Sequence, residues 1–145
     1  MVLPLLVAAL AGCGGGAAGA SESKTPAAAT SSASAESLIQ KGVRSCKLDT
    51  SANSAYATVG DAGYTVTLKG EPADPNYANI TKVTGLSARD MACVLLAAAV
   101  PDSVVSQIDA TRALDGMQRA SWDKMAASWT YHPKNGLNLI LTESK

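Results

Sequence analysis

The sequence has no phenylalanine, one histidine and three cysteines in 145 residues, and aromatic side chains make up only 4% of it. A single imidazole means that any Ser-His-Asp triad would have to use His132. Three cysteines and one histidine leave no room for a zinc site of four cysteines, or of two cysteines and two histidines. Charge of one sign is not in excess either: 12 Lys and Arg balance 12 Asp and Glu, for a formal net charge of zero. That balance argues against a nucleic-acid-binding protein, which normally shows a basic patch or stripe. It also argues against a polybasic membrane segment or an acidic tail. There is no internal repeat. The length suits one domain, with little room for a second.

The odd cysteine count is the most informative of these numbers. The chain opens on an apolar run from Val2 to Leu10, interrupted by Pro4. This is far shorter than the ~20 residues needed to cross a bilayer, and it fits the apolar region of a signal peptide. Directly after it stands Leu10-Ala11-Gly12-Cys13. This stretch resembles the lipobox of bacterial lipoprotein precursors: a branched apolar residue, two small residues, then Cys. The resemblance implies acylation of the Cys13 thiol and cleavage between Gly12 and Cys13. Cys13 would then be the lipidated first residue of the mature protein. Two acyl chains give stable attachment where one is marginal, since each buried CH₂ contributes roughly 0.8 kcal/mol. No Lys or Arg precedes the apolar run, as one normally does in a signal peptide, so the true start is expected upstream of Met1.

Gly14 to Ser37 consists largely of Gly, Ala, Ser and Thr, with no apolar periodicity. Such a segment cannot bury enough apolar surface to offset its chain entropy. It reads as a flexible tether, spanning roughly 25–30 Å by the square-root rule. The organisation expected is therefore a signal peptide over 1–12, a lipid anchor and linker over 13–37, and a single α+β domain over 38–145. In an exported domain Cys46 and Cys93 are expected to pair as a disulfide. Closing a loop of about 48 residues would contribute on the order of 4 kcal/mol in the chain-entropy picture.

Within the domain, Ser54 to Leu68 alternates at period two around Tyr56, Thr58, Tyr64, Val66 and Leu68, with Gly60-Asp61-Ala62-Gly63 as its turn, and predicts a hairpin. Gly70 to Asn79, with Pro72 and Pro75, predicts a loop. Ser87 is placed to cap a helix that continues through Cys93 to Ala99, with Asp90 answering the cap and Leu86 and Met91 as a hydrophobic staple. That helix is apolar nearly all round, which predicts burial on more than one side. Pro101 should end or bend it. A shorter helix follows over Asp102 to Arg112, with Val104, Val105 and Ile108 on one face. The rest predicts a three-stranded meander over Met117–Trp122, Ala126–His132 and Leu137–Thr142, its second turn marked by Asn135-Gly136. The sum is an antiparallel sheet of about five strands, ordered β-β-α-α-β-β-β, with helices packed on one face and one disulfide. The disulfide would staple the start of the sheet to the covering helix.

The chemistry-bearing residues are sparse. His132 precedes Pro133 at a hairpin end, and no Gly-x-Ser-x-Gly elbow exists. Asp109, Asp115 and Asp123 lack the EF-hand spacing, and capping or turn roles account for them. Asn79-Ile80-Thr81 matches a glycosylation pattern that a bacterial lipoprotein would not normally use. No catalytic, metal-binding or cofactor-binding residue is assigned, and no cofactor is expected. Ala127, Trp129 and Tyr131 would share one sheet face, with Leu137, Leu139 and Leu141 on a matching one. For Trp122, Trp129 and Tyr131 core packing is the leading reading, and an exposed aromatic face for a protein or glycan partner is the alternative. The segment from Asp109-Ala110-Thr111-Arg112 through Ala120-Ser121-Trp122-Asp123 and Ala127-Ser128-Trp129-Thr130-Tyr131-His132-Pro133 to Gly136-Leu137 resembles small, uncharacterised exported proteins of high-GC Gram-positive bacteria. That resemblance covers about 35 residues and carries no activity to transfer.

The expectation is a membrane-anchored, extracytoplasmic lipoprotein with no nucleic-acid partner and no enzymatic activity. Its domain would bind an unidentified protein or glycan at the cell envelope. The alternatives are a small envelope hydrolase or its accessory subunit, and a phage-type immunity or inhibitor lipoprotein.

Overall fold

The structure is a computed structural model that describes residues 36–145 apart from residue 83. The expected signal peptide, Cys13 and nearly all of the expected tether lie outside the described residues. The elements run α1 (Leu38–Ser45), β1 (Ala57–Gly60), a 3-10 turn (Asp61–Gly63), β2 (Thr65–Lys69), α2 (Pro75–Thr81), α3 (Ala88–Ala97), α4 (Asp102–Ala110), β3 (Gln118–Trp122), β4 (Met125–His132) and β5 (Gly136–Glu143). The five strands form one antiparallel sheet in the order β1-β2-β5-β4-β3. The fold is α+β, as the alternation of patterns predicts. The chain differs from the expected order by two helices: α1 precedes the hairpin, and α2 occupies part of the predicted loop.

Both extra helices have local causes. Ser37 caps α1, its Oγ accepting from the Gln40 amide at 3.0 Å. Ile39, Gly42 and Val43 then fall on one buried stripe at the i, i+3, i+4 spacing. The Glu143 carboxylate accepts from the first-turn amide of Leu38 at 2.7 Å. A negative group at that end also complements the helix dipole. Asp74 caps α2 by accepting from Asn76, and Pro75 takes the first helical position, where its missing N–H costs nothing. The same Asp-Pro pair that reads as a loop signal is here a helix start. None of the seven α2 residues is buried.

Helix α3 begins where Ser87 predicts. The Ser87 Oγ accepts from the Asp90 amide at 3.2 Å, and donates to the Asp90 carboxylate at 2.8 Å. The short Asp side chain meets the hydroxyl of Ser87 rather than its backbone amide, as a longer Glu would. Leu86 and Met91 are both buried. The expected burial on several sides is corrected: Met91, Val94 and Leu95 face the core, while Leu96 is 81% exposed. Pro101 is the residue that caps α4, not the one that stops α3. What ends α3 is a backbone motif. Ala99 turns left-handed at φ 50°, and the amides of Ala99 and Val100 donate back to the Leu96 and Leu95 carbonyls. α1 ends in the same way. Lys47 sits at φ 57°, with the Lys47 and Leu48 amides on Arg44 and Val43. This is the Schellman arrangement, twice without the usual glycine.

In the meander, Ala127 pairs with Leu141, Trp129 with Leu139 and Tyr131 with Leu137, the matching faces that the alternation predicts. The β4–β5 connection is a three-residue loop, with His132 paired to Gly136. Gly136 has φ 72°, so the glycine of Asn-Gly serves as the left-handed last position rather than as part of a two-residue turn. The inward sides of the strands, with Ile39, Val43, Met91, Val94, Leu95, Val104 and Ile108 from the helices, form one hydrophobic cluster. The sheet's other side carries no helix of that cluster.

Candidate functional site

Cys46 and Cys93 form a disulfide, with their Cα atoms 5.9 Å apart. Cys46 is the last residue of the α1 turn and Cys93 lies in α3. The staple therefore joins two helices, not the start of the sheet to a helix; the sequence pattern hid this because α1 was not anticipated. The two helices already approach closely, since a Cβ on Gly42 would stand 3.1 Å from that of Ala97.

Trp122, Trp129 and Tyr131 all stand on the side of the sheet that faces the helices. Trp129 is 2% exposed, and its indole N–H donates to the Thr111 hydroxyl at 2.8 Å. Trp122 is half-buried against the same cluster, and its Nε1 is buried without a partner among the described residues. Tyr131 is half-buried. The three rings do not form a flat exposed patch, because the fold uses Trp129 as core volume. With no phenylalanine, tryptophan is the largest apolar filler the chain has.

The uncovered side is different chemistry on the same strands. Across one row run Thr58, Thr67, Ile140, Ser128 and Arg119; across the next, Lys69, Asn138 and Thr130. A third row holds Gly60, Thr65, Thr142, Ala126 and Ser121. No Asp or Glu stands in these rows. At their rim the Asp61 carboxylate accepts from the Thr65 hydroxyl at 2.6 Å.

At one end of this side lies a cleft of about 410 Å³ lined by Tyr56, Lys69, Thr84, Thr130, His132, Asn135 and Asn138, among others. His132 is exposed and its Nδ1 accepts from the Lys134 amide at 3.1 Å. The neutral ring then carries its proton on Nε2. Tyr56 and Thr84 share a hydrogen bond between their hydroxyls.

Backbone at the cleft is tied by main-chain hydrogen bonds. The Lys69 amide donates to the Tyr56 carbonyl at 2.8 Å, the Leu86 amide to the Lys69 carbonyl at 2.8 Å, and the Gly70 amide to the Leu137 carbonyl at 2.7 Å. Gly70, Gly85 and Gly136 meet here: a Cβ on Gly85 would fall 2.3 Å from the Gly70 backbone, and one on Gly136 2.3 Å from the Glu71 carbonyl oxygen.

This cleft lies at the end of the sheet away from where the domain begins. Ser37 and Leu38 bond to Gly63 and Glu143, whereas His132 and Gly136 lie at the opposite end of β5. Along eight residues of strand that is roughly 25 Å.

Sequence reasoning singled out His132 but not Lys69, Thr130 or Asn138. These three are consecutive cross-strand neighbours on β2, β5 and β4, so only strand order brings them together. Alternation around Leu68, Trp129 and Leu139 would have put them on the uncovered side, but not beside one another. Among the described residues no group of three metal-ligating side chains converges, and none of the helices is long and apolar enough to cross a membrane. No family model matches the chain, and no curated protein or solved structure matches it either.

Proposed function

We propose that this chain is a bacterial lipoprotein, held at the outer side of the cell membrane by lipid on Cys13. Its domain from residue 38 onward works by binding a partner at the envelope rather than by catalysis. The observation that carries this reading is how the three cysteines divide. Cys46 and Cys93 are joined to each other, and the third stands in Leu10-Ala11-Gly12-Cys13 directly after an apolar run. A structural disulfide suits an exported domain, since thiols are kept reduced in most cytosols.

Binding is favoured over hydrolysis by the surroundings of His132. Its Nδ1 is occupied by the backbone of its own turn, the position at which a triad carboxylate would hold the ring.

The test is metabolic labelling with a clickable palmitate analogue, using the gene with its upstream sequence. The native protein should carry label and partition with membranes, and Cys13→Ser should lose both. Label retained in Cys13→Ser overturns the anchor.

A further inference from the structure

We propose that the cleft walled by Tyr56, Lys69, Thr130, His132 and Asn138 is a binding subsite for a saccharide carrying an anionic substituent. This rests on the reading of the domain as an envelope binding module and names the chemistry of its ligand.

A sugar needs an array of donors and acceptors held at fixed spacing, and a flat apolar surface for its C–H face. Lys69, Asn138 and Thr130 supply the array. They are direct cross-strand partners on three adjacent strands, so neighbouring Cβ atoms stand about 5 Å apart. Asn138 offers both a donor and an acceptor, Thr130 a hydroxyl, and His132 an Nε2–H. The half-buried ring of Tyr56, tied through its hydroxyl to Thr84, supplies the flat surface. The backbone bonds at Lys69 and Gly70 fix the strand positions from which these side chains project, which lowers the backbone part of the ordering cost of binding. The volume, about 410 Å³, falls in the range of small-ligand clefts, about 300–1,000 Å³.

The charge of the cleft selects an anion. No Asp or Glu lines the cleft. Among the described residues the one ion pair joins Arg44 to Glu36, so the exposed Lys69 ammonium has no such counter-charge. A carboxylate or phosphate on the sugar would supply it, while the ring hydroxyls take Asn138 and Thr130.

The test titrates the full-length protein, followed by amide NMR shifts, with N-acetylmuramic acid, N-acetylglucosamine 1-phosphate, neutral N-acetylglucosamine and inorganic phosphate. One or both acidic sugars should bind about tenfold or more tightly than the neutral one, as expected for a charge-assisted hydrogen bond. The carboxylate and phosphate arms identify which substituent is preferred. Lys69→Gln should abolish the preference, and Asn138→Ala should weaken acidic and neutral sugars together, both with unchanged thermal unfolding. Should Lys69→Gln fail to fold, Thr130→Val and Asn138→Ala must still weaken binding. Equal affinity for acidic and neutral sugars overturns the proposal, as does inorganic phosphate binding as tightly as the sugar phosphate. Preference retained in Lys69→Gln, or no shifts at millimolar sugar, also overturns it. The titration does not pass through Cys13: binding without lipid labelling would sink the anchor alone, and labelling without binding would sink the cleft alone.

Discussion

On their inward side the strands carry Val66, Leu68, Met125, Ala127, Trp129, Leu139 and Leu141, all buried against α1, α3 and α4. One residue away along each strand, the outward side carries threonine, serine and asparagine, with Lys69, Arg119 and His132 and a single large apolar residue, Ile140. Both sides share one backbone and one set of ladder hydrogen bonds. They differ only in the parity of position, because successive side chains of a strand point to opposite faces. The lesson is a division of labour: the inward side holds the domain together, while among the described residues the outward side contributes nothing to that buried core.

The sharpest way to break that comparison is to empty the inward side. Trp129→Ala should destabilise the domain by about 3–5 kcal/mol, the range for deleting a buried aromatic, read from the midpoint of denaturant unfolding. Trp122→Ala should cost clearly less, because that ring is only half-buried. If the two costs are equal, the edge strand β3 is packed more tightly than its exposure indicates.

Replacing Cys46 and Cys93 together with Ala should cost about 2–4 kcal/mol, with the unfolding transition still cooperative. A loss near zero would mean that the contact between α1 and α3 holds without its covalent link. Thr111→Val is the next step down. It leaves the Trp129 indole N–H buried without its acceptor and should cost about 1–2 kcal/mol; calorimetry against Trp129→Phe in the same background would isolate the hydrogen bond. Ala99→Gly should raise stability by about 0.5–1 kcal/mol, since it removes the Cβ from a left-handed position, and a lowered melting temperature would contradict that account of the α3 terminus. On the outward side, Thr142→Val should change stability by less than about 0.5 kcal/mol. A large loss there would show that the outward side is also structural.

The strands were legible because both of their patterns were local. The period-two runs around Trp129 and Leu139, and Asn135-Gly136 between them, specify a hairpin with few alternatives. The start of α3 was legible for the same reason: Ser87, Asp90, Leu86 and Met91 lie within six residues. Helix α1 is not legible locally, although Ser37 is a good cap and Ile39 and Val43 have helical spacing. The element is only eight residues long, it contains Gly42, and much of its support comes from Glu143 and Gly63, which are distant in sequence. Helix α2 was hidden because Asp-Pro signals turns and helix starts alike. The exposure of Leu96 could not be read from composition, because it depends on which side of α3 the sheet and α1 occupy.

Sequence alone determined the class of fold, the matching faces of β4 and β5, the pairing of Cys46 with Cys93 and the start of α3. Each of these follows from alternation, capping chemistry or elimination within a short stretch of chain. Tertiary structure decided which helices the disulfide joins, which tryptophan is core, and that Lys69, Thr130 and Asn138 stand side by side. The order β1-β2-β5-β4-β3 places the end of the first hairpin against the last strand, across some seventy residues of chain. No local pattern encodes that neighbourhood; it arises when burying one side of every strand forces them into a single sheet.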